Sequence, residues 1–147
     1  DHLTISRLKK YNFVVINPVV DYIDLPAIFS SVDILTIVND FDEKGIKFLK
    51  YSMPTKATEY MISGTPILVY SHAESAVLQF FDKNRCGYCV SKHDKAALVT
   101  SLEHLMNDEN LRKRLGTNAA RLASELFDGE KMRRKFMNSL IGLAQKT

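Results

Sequence analysis

The chain has no tryptophan, only two cysteines and only six glycines in 147 residues. Two cysteines cannot build a disulfide framework or a four-cysteine zinc site. They stand as Cys86-Gly87-Tyr88-Cys89, after a helical pattern and running into a strand-like stretch. A redox pair needs its first thiol at a helix N-terminus, so these read as free, buried or half-buried thiols in a reducing cytosol. The glycines form no phosphate-cradling loop and no dinucleotide fingerprint, and there is no Gly-x-Ser-x-Gly elbow. Histidine and carboxylate residues show no metal-ligand spacing, so no metal is expected. No apolar run approaches the roughly 20 residues that cross a bilayer. No secretory leader is visible, and the final LAQKT carries no lipidation pattern.

What is present suits one ordinary globular domain over residues 1–147: 46% of residues are hydrophobic and 25% charged. The first residue is Asp1 rather than methionine, which reads as a fragment or a processed chain. The net charge of +3 is uneven, because residues 1–109 sum to −3 and residues 110–147 to +6. A basic helical tail suits either solvent or an anionic membrane surface. The aromatic-plus-basic platform of a single-strand nucleic-acid binder is missing, so no nucleic-acid partner is expected.

Apolar periodicity alternates between strand and helix. Residues 2–10 read as the end of a helix with Leu3 and Leu8 as core contacts, and FVVIN (13–17) as a strand. Asp24 is placed to cap a short helix carrying Leu25, Ile28, Phe29 and Val32. ILTIV (34–38) is a second strand, residues 39–53 a long loop, 54–63 a helix and ILVY (67–70) a strand. Then come a helix over 73–84 stopped by Gly87, a strand at 88–90, and helices capped by Asp94 and Asp108. In these, Leu98, Leu102, Leu105, Met106, Leu111, Leu115, Leu122 and Leu126 should face inward, with a bend at Gly116. A last helix near 130–145 brings together Met132, Phe136, Leu140 and Leu143. Strands that are apolar throughout, alternating with helices, imply a Rossmann-like parallel sheet with helices on both faces, an α/β domain of three layers. Such sheets bind ligands beyond the carboxyl ends of their strands.

The stretch Ser52 to Tyr70 supplies the chemistry. Pro54 suits a helix start, and Gly64 with Pro66 suits its end. The first turn of such a helix favours phosphate through free N–H groups and the helix dipole. Thr55 and Glu59 are spaced i, i+4 and Lys56 and Glu59 i, i+3, so all three can share a face. A carboxylate there suits sugar hydroxyls; equally, Lys56 and Glu59 can form a plain surface pair. His72 and Glu74 follow the ILVY strand. His72 reads as a donor contact or an exposed loop residue, and Glu74 as a donor contact or a cap of the next helix. His93 and His104 read as structural or exposed.

The run Pro54-x-Lys56-x-x-Glu59-Tyr60-Met61-x-x-Gly64-x-Pro66-Ile67 resembles the donor segment of retaining GT-B glycosyltransferases (group 1, family 4-like). LPAIFSSVDILTIV before it, and CGYCV and LMNDENLRKRLGTNAARLASELF after it, resemble that family's flanks in order and spacing. The resemblance implies a carboxyl-terminal donor-binding domain whose parent moves a sugar from a nucleotide-sugar to a glycan or lipid-linked acceptor, without a metal. It implies that Glu59 binds the ribose, with Pro54, Thr55 and Lys56 near the diphosphate. Many members carry a further glutamate eight residues earlier, where this chain has Tyr51. The family's basic pair, its first strand and its acceptor domain would precede Asp1. That implies an isolated chain without transferase activity, and a sheet gap between 13–17 and 67–70 that a second copy could fill. The resemblance leaves the catalytic residues unassigned. The free thiols suit a cytoplasmic place, and the basic tail suits contact with a membrane surface. Two other readings share the architecture in part: a nucleotide-sugar epimerase and a non-catalytic α/β interaction module.

Overall fold

Three short strands pair side by side in parallel: β1 (Leu35–Val38), β2 (Ile67–Tyr70) and β3 (Tyr88–Val90), in the order β1-β2-β3. The computed structural model describes residues 2–144. Leu35 lies opposite Ile67 and Ile37 opposite Val69, and these four side chains are buried on one sheet face. Leu68 points to the other face.

Helices cover both faces. They are α1 (His2–Leu8), α2 (Leu25–Ser30), α3 (Glu43–Leu49), α4 (Thr55–Ser63), α5 (Ala76–Lys83), α6 (Lys95–Asn107), α7 (Glu109–Leu126) and α8 (Gly129–Ala144). On the first face Ala57 and Met61 of α4, Val77, Leu78 and Phe81 of α5, and Ala119, Leu122 and Ala123 of α7 pack on the sheet. On the second face Leu105 of α6 with Leu111 and Leu115 of α7 pack on Leu68. The three-layer α/β architecture follows from β2, whose Ile67, Leu68 and Val69 are buried on both faces, whereas β1 is buried on one face only.

Several expectations change. FVVIN forms no strand, and Phe13 and Val15 are each 78% exposed. A strand needs a ladder partner for its backbone. β2 is already paired on both sides, so there is no gap between 13–17 and 67–70. The open edges are instead the outer sides of β1 and β3, neither of which has a further strand neighbour among the described residues. Leu8 is exposed, and the Leu3 side chain lies outside the described residues. Asp24 belongs to a 3-10 turn, Tyr22–Asp24, and its side chain makes no cap; α2 ends at Ser30, before Val32. The segment 39–53 is not a bare loop, because Asp42 accepts a hydrogen bond from the Gly45 N–H and starts α3.

α5 begins after the Ser75 cap and ends at Lys83, four residues short of Gly87. Gly87 serves packing instead: a Cβ there would meet the Phe81 ring at 2.6 Å. Asp94 and Asp108 do cap α6 and α7. Leu105, Leu111, Leu115 and Leu122 are buried, whereas Met106 and Leu126 are exposed. The stripe Met132, Phe136, Leu140 and Leu143 forms on α8 but faces solvent.

α7 runs unbroken through Gly116, whose role is closeness. A Cβ at Gly116 would lie 1.8 Å from the carbonyl oxygen of Gly64. Gly64 itself has φ +74°, the left-handed region that glycine enters freely, and closes α4 into β2. Gly116→Ala should therefore lower stability by about 3 kcal/mol, since backbone rather than a flexible side chain must move. Urea unfolding checks this, and a loss below about 0.5 kcal/mol would contradict the close packing.

Candidate functional site

Helix α4 leads into β2 through the tight Gly64 turn, so its amino end lies at the carboxyl edge of the sheet. Pro54 occupies the capping position with extended backbone, φ −66° and ψ 137°, one residue earlier than a first-turn proline. It needs no N–H there; the Ala57 N–H bonds back to the Pro54 carbonyl at 2.9 Å, and the amides of Thr55 and Lys56 precede the helix ladder. Ala57 and Met61 face the core, which sets the rotation of the helix. Thr55 and Lys56 are exposed at its start, and Glu59 is half-buried one turn on.

Glu59 borders a groove of about 200 Å³ between α2 and α4, lined by Tyr22, Leu25, Phe29, Ile62 and Ser63 among others. Two contacts hold the groove's walls together. The Thr65 hydroxyl donates to the Phe29 carbonyl at 2.7 Å, and the Phe29 and Tyr60 rings meet edge to face at 4.9 Å. Burial raises the Tyr60 hydroxyl pKa, and the neighbouring Glu59 charge raises it further. No ion pair among the described residues involves Glu59, so the surface pair with Lys56 does not form.

The carboxyl ends of β1 and β2 carry groups that sequence reasoning passed over. Asn39 follows β1 and donates its amide to the Ser71 hydroxyl at 3.1 Å. The Ser71 hydroxyl donates to that of Ser75 at 2.8 Å, and Ser75 accepts from the Leu78 N–H to cap α5. Both serines are fully buried. Phe41 stacks on His93, with ring centres 4.7 Å apart and planes 6° from parallel, and tilts against Tyr70 at 4.8 Å. A polar or aromatic residue immediately after a parallel strand was the available signal, since it must sit at the ligand-binding edge.

Of the remaining expected residues, His72 and Glu74 follow the carboxyl end of β2. His72 is half-buried rather than a free loop residue; its Nδ1 accepts the Glu74 N–H at 3.2 Å, and its ring lies 6.4 Å from Phe41. Glu74 caps no helix, a role taken by Ser75, and pairs with Lys50 at 3.0 Å. That hydrogen bond lowers the Glu74 pKa and raises that of Lys50. Both ends of the pair are exposed to solvent, so it adds little stability. Tyr51, next to Lys50, is 85% exposed. His104 meets the Tyr88 hydroxyl at 3.1 Å. Among the described residues no three His, Cys, Asp or Glu side chains are grouped to hold a metal ion. No described helix is long and apolar enough to cross a membrane.

Residues 22–122 match the model of the family "Glycosyl transferases group 1". The chain belongs to this family. That match takes in the 3-10 turn, the groove, all of α4 and most of α7. Among solved structures, Anabaena Alr3699/HepE in complex with UDP-glucose is similar over 96% of this chain and 35% of its own, with TM-score 0.72 and 17% identity. The C-terminal domain of a group 1 family protein, LpcC from Francisella tularensis, is similar over 87% of this chain and 62% of its own, with TM-score 0.61 and 18% identity. No curated protein sequence matches the chain. At these identities the two structures establish the fold, a Rossmann-like α/β domain of the kind GT-B glycosyltransferases use. The chain spans 35% and 62% of the two molecules' lengths.

Cys86 is buried in the core cluster that includes Ala57 and Met61 of α4, and Cys89 packs against that cluster. Burial pushes the Cys86 thiol up to about 11. Burial, with the nearby Asp82 charge second, pushes Cys89 up to about 12. Both thiols are thus protonated and unreactive at neutral pH. In the unfolded chain they would ionise near 9.0, so above that pH the folded state holds more protons and stability falls as pH rises. The urea midpoint should drop between pH 8 and pH 10, and the drop should shrink in Cys89→Ala. An equal drop in that variant would contradict the assignment.

Proposed function

We propose that this chain is the donor-binding domain of a GT-B glycosyltransferase that moves a sugar from a nucleoside-diphosphate sugar to a glycan or lipid-linked acceptor. One observation carries the proposal. The Glu59 carboxylate has no ion-pair partner among the described residues and borders a mostly apolar groove, one turn from the amino end of α4. A half-buried carboxylate favours hydroxyl donors that satisfy it. A ribose lying along α4 supplies such donors and brings the attached diphosphate to the first turn.

There the free amides, the helix dipole and the Lys56 ammonium oppose the phosphate charge. The Thr55 hydroxyl adds a donor, and Pro54 fixes the direction of the turn. As the sugar departs, charge accumulates on the diphosphate, and these fixed positive groups stabilise it. The reaction then requires no metal from this chain. Tyr51 replaces a carboxylate with a phenol beside the leaving sugar, so its hydroxyl is a neutral hydrogen-bonding group for that sugar. The binding of UDP-glucose by the structurally similar HepE supports a nucleotide-sugar as the ligand class. The acceptor would be held by a second domain, and this chain alone would bind donor without transferring it.

Calorimetric titration of UDP and GDP tests the reading. The wild-type chain should bind one of them, and Glu59→Gln and Lys56→Ala should each weaken binding about tenfold, as expected for a lost charge-assisted hydrogen bond. Both variants alter exposed or half-exposed side chains and should keep the wild-type unfolding midpoint. Failure of the folded chain to bind either nucleotide, or binding indifferent to both substitutions, would contradict the proposal.

A further inference from the structure

A cavity of about 550 Å³ opens beside β3, between the end of α5 and the first half of α7, with Asp82, Arg85, Leu111, Arg114 and Leu115 in its lining. It sits at the amino edge of the sheet. Arg85 and Gly87 precede β3, and a Cβ at Gly87 would lie 3.1 Å from the carbonyl oxygen of Ile67, the first residue of β2. None of its residues borders the Glu59 groove. A second domain closing on the donor would meet the carboxyl edge, at the other end of the strands. Two features set this cavity apart. The guanidinium groups of Arg85 and Arg114 make no ion pair and no hydrogen bond among the described residues. Arg85 also has φ +50° and is the only non-glycine residue with positive φ among the described residues. Glycine takes that conformation freely. The turn itself needs nothing from the arginine side chain: the Arg85 N–H donates to the Asp82 carbonyl at 3.1 Å, and the Arg85 carbonyl accepts the Asn118 amide at 3.2 Å. A glycine would make both bonds, so the fold alone gives no reason for a guanidinium here.

We propose that this cavity is a second binding site, which takes a sugar phosphate, with Arg85 and Arg114 holding its phosphate. Charge and shape select this ligand. Arginine presents a planar fork of N–H donors that matches phosphate oxygens, and two of them suit a dianion. Asp82 lies in the same lining and makes no ion pair among the described residues. Its carboxylate repels a second anionic group and accepts hydrogen bonds from hydroxyls, so a single phosphate on a hydroxylated body fits better than a polyphosphate. Leu111 and Leu115 give an apolar wall for the C–H face of that body. The volume is in the range that houses a small organic molecule rather than a bare ion. The proposal is independent of the donor site.

Calorimetric titration of the full chain with glucose 6-phosphate, inorganic phosphate and glucose tests it. Glucose 6-phosphate should bind saturably and at least about tenfold more tightly than inorganic phosphate or glucose. Arg85→Gly and Arg114→Ala should each weaken that binding about tenfold, and Asp82→Asn should remove the advantage of the sugar phosphate over phosphate. Arg85→Gly should keep the wild-type urea midpoint or raise it, because glycine suits φ +50°. Absence of saturable glucose 6-phosphate binding overturns the proposal, as does binding of inorganic phosphate that is equally tight. Binding that Lys56→Ala abolishes and the two arginine substitutions leave intact also overturns it, since the phosphate would then sit on α4. A urea midpoint that falls in Arg85→Gly overturns it as well, because the arginine would then serve the fold.

Discussion

The close approach of Gly116 on α7 to the Gly64 turn fixes the position of everything functional in this chain. Gly64 takes a left-handed conformation to turn α4 back into β2. Its carbonyl then lies where any side chain at position 116 would have to be. With α7 seated on that turn, Ala57 and Met61 are pressed into the same core as Ala119, Leu122 and Ala123. The axis and the rotation of α4 are thereby both determined. One end of the helix is closed beneath α7, and the other is left open at the carboxyl edge of the sheet.

From that constraint the electrostatics follow. The inward residues of α4 are apolar, so Glu59 is turned to the groove beside α2, while the first-turn amides point along the helix axis from its open end. The chain thus presents fixed positive partial charge and a hydroxyl-seeking carboxylate within one helical turn of each other, a pairing suited to a nucleoside diphosphate. Around it, the Asn39–Ser71–Ser75 chain of hydrogen bonds ties the ends of β1 and β2 to the cap of α5. Buried hydroxyls satisfied in this way rigidify the edge against which a donor would rest. The Lys50–Glu74 pair spans α3 and the loop before α5 on the same rim, with both ends wet.

Legibility in the sequence depended on how local the cause was. Pro54, Gly64 and Pro66 signal helix ends through their own backbone chemistry, and α4 and β2 fall where those residues place them. Asp94 and Asp108 were readable for the same reason. The run FVVIN was misread because strand character is a property of a pair, and an apolar β-branched stretch cannot state whether a neighbour exists. α3 was missed because its seven residues have no apolar period, its start resting on the Asp42 cap alone. α8 shows the reverse: its period was clear, but periodicity gives an apolar face without saying what covers it. In the site, the placement of Thr55, Lys56 and Glu59 on the first turns of α4 was legible from spacing, while their role rests on the family resemblance. Asn39, Phe41 and Ser71 were not legible, because their meeting depends on the parallel register of β1 and β2.

The most direct test is an amide NMR titration of the chain with UDP, or with GDP where that is the nucleotide bound. The account predicts that the largest shifts fall on Thr55, Lys56 and Ala57, with Glu59 and the groove residues Tyr22 and Phe29 following the same saturation curve. Saturable shifts that leave the first turn of α4 unmoved would contradict the central claim that this helix end holds the diphosphate.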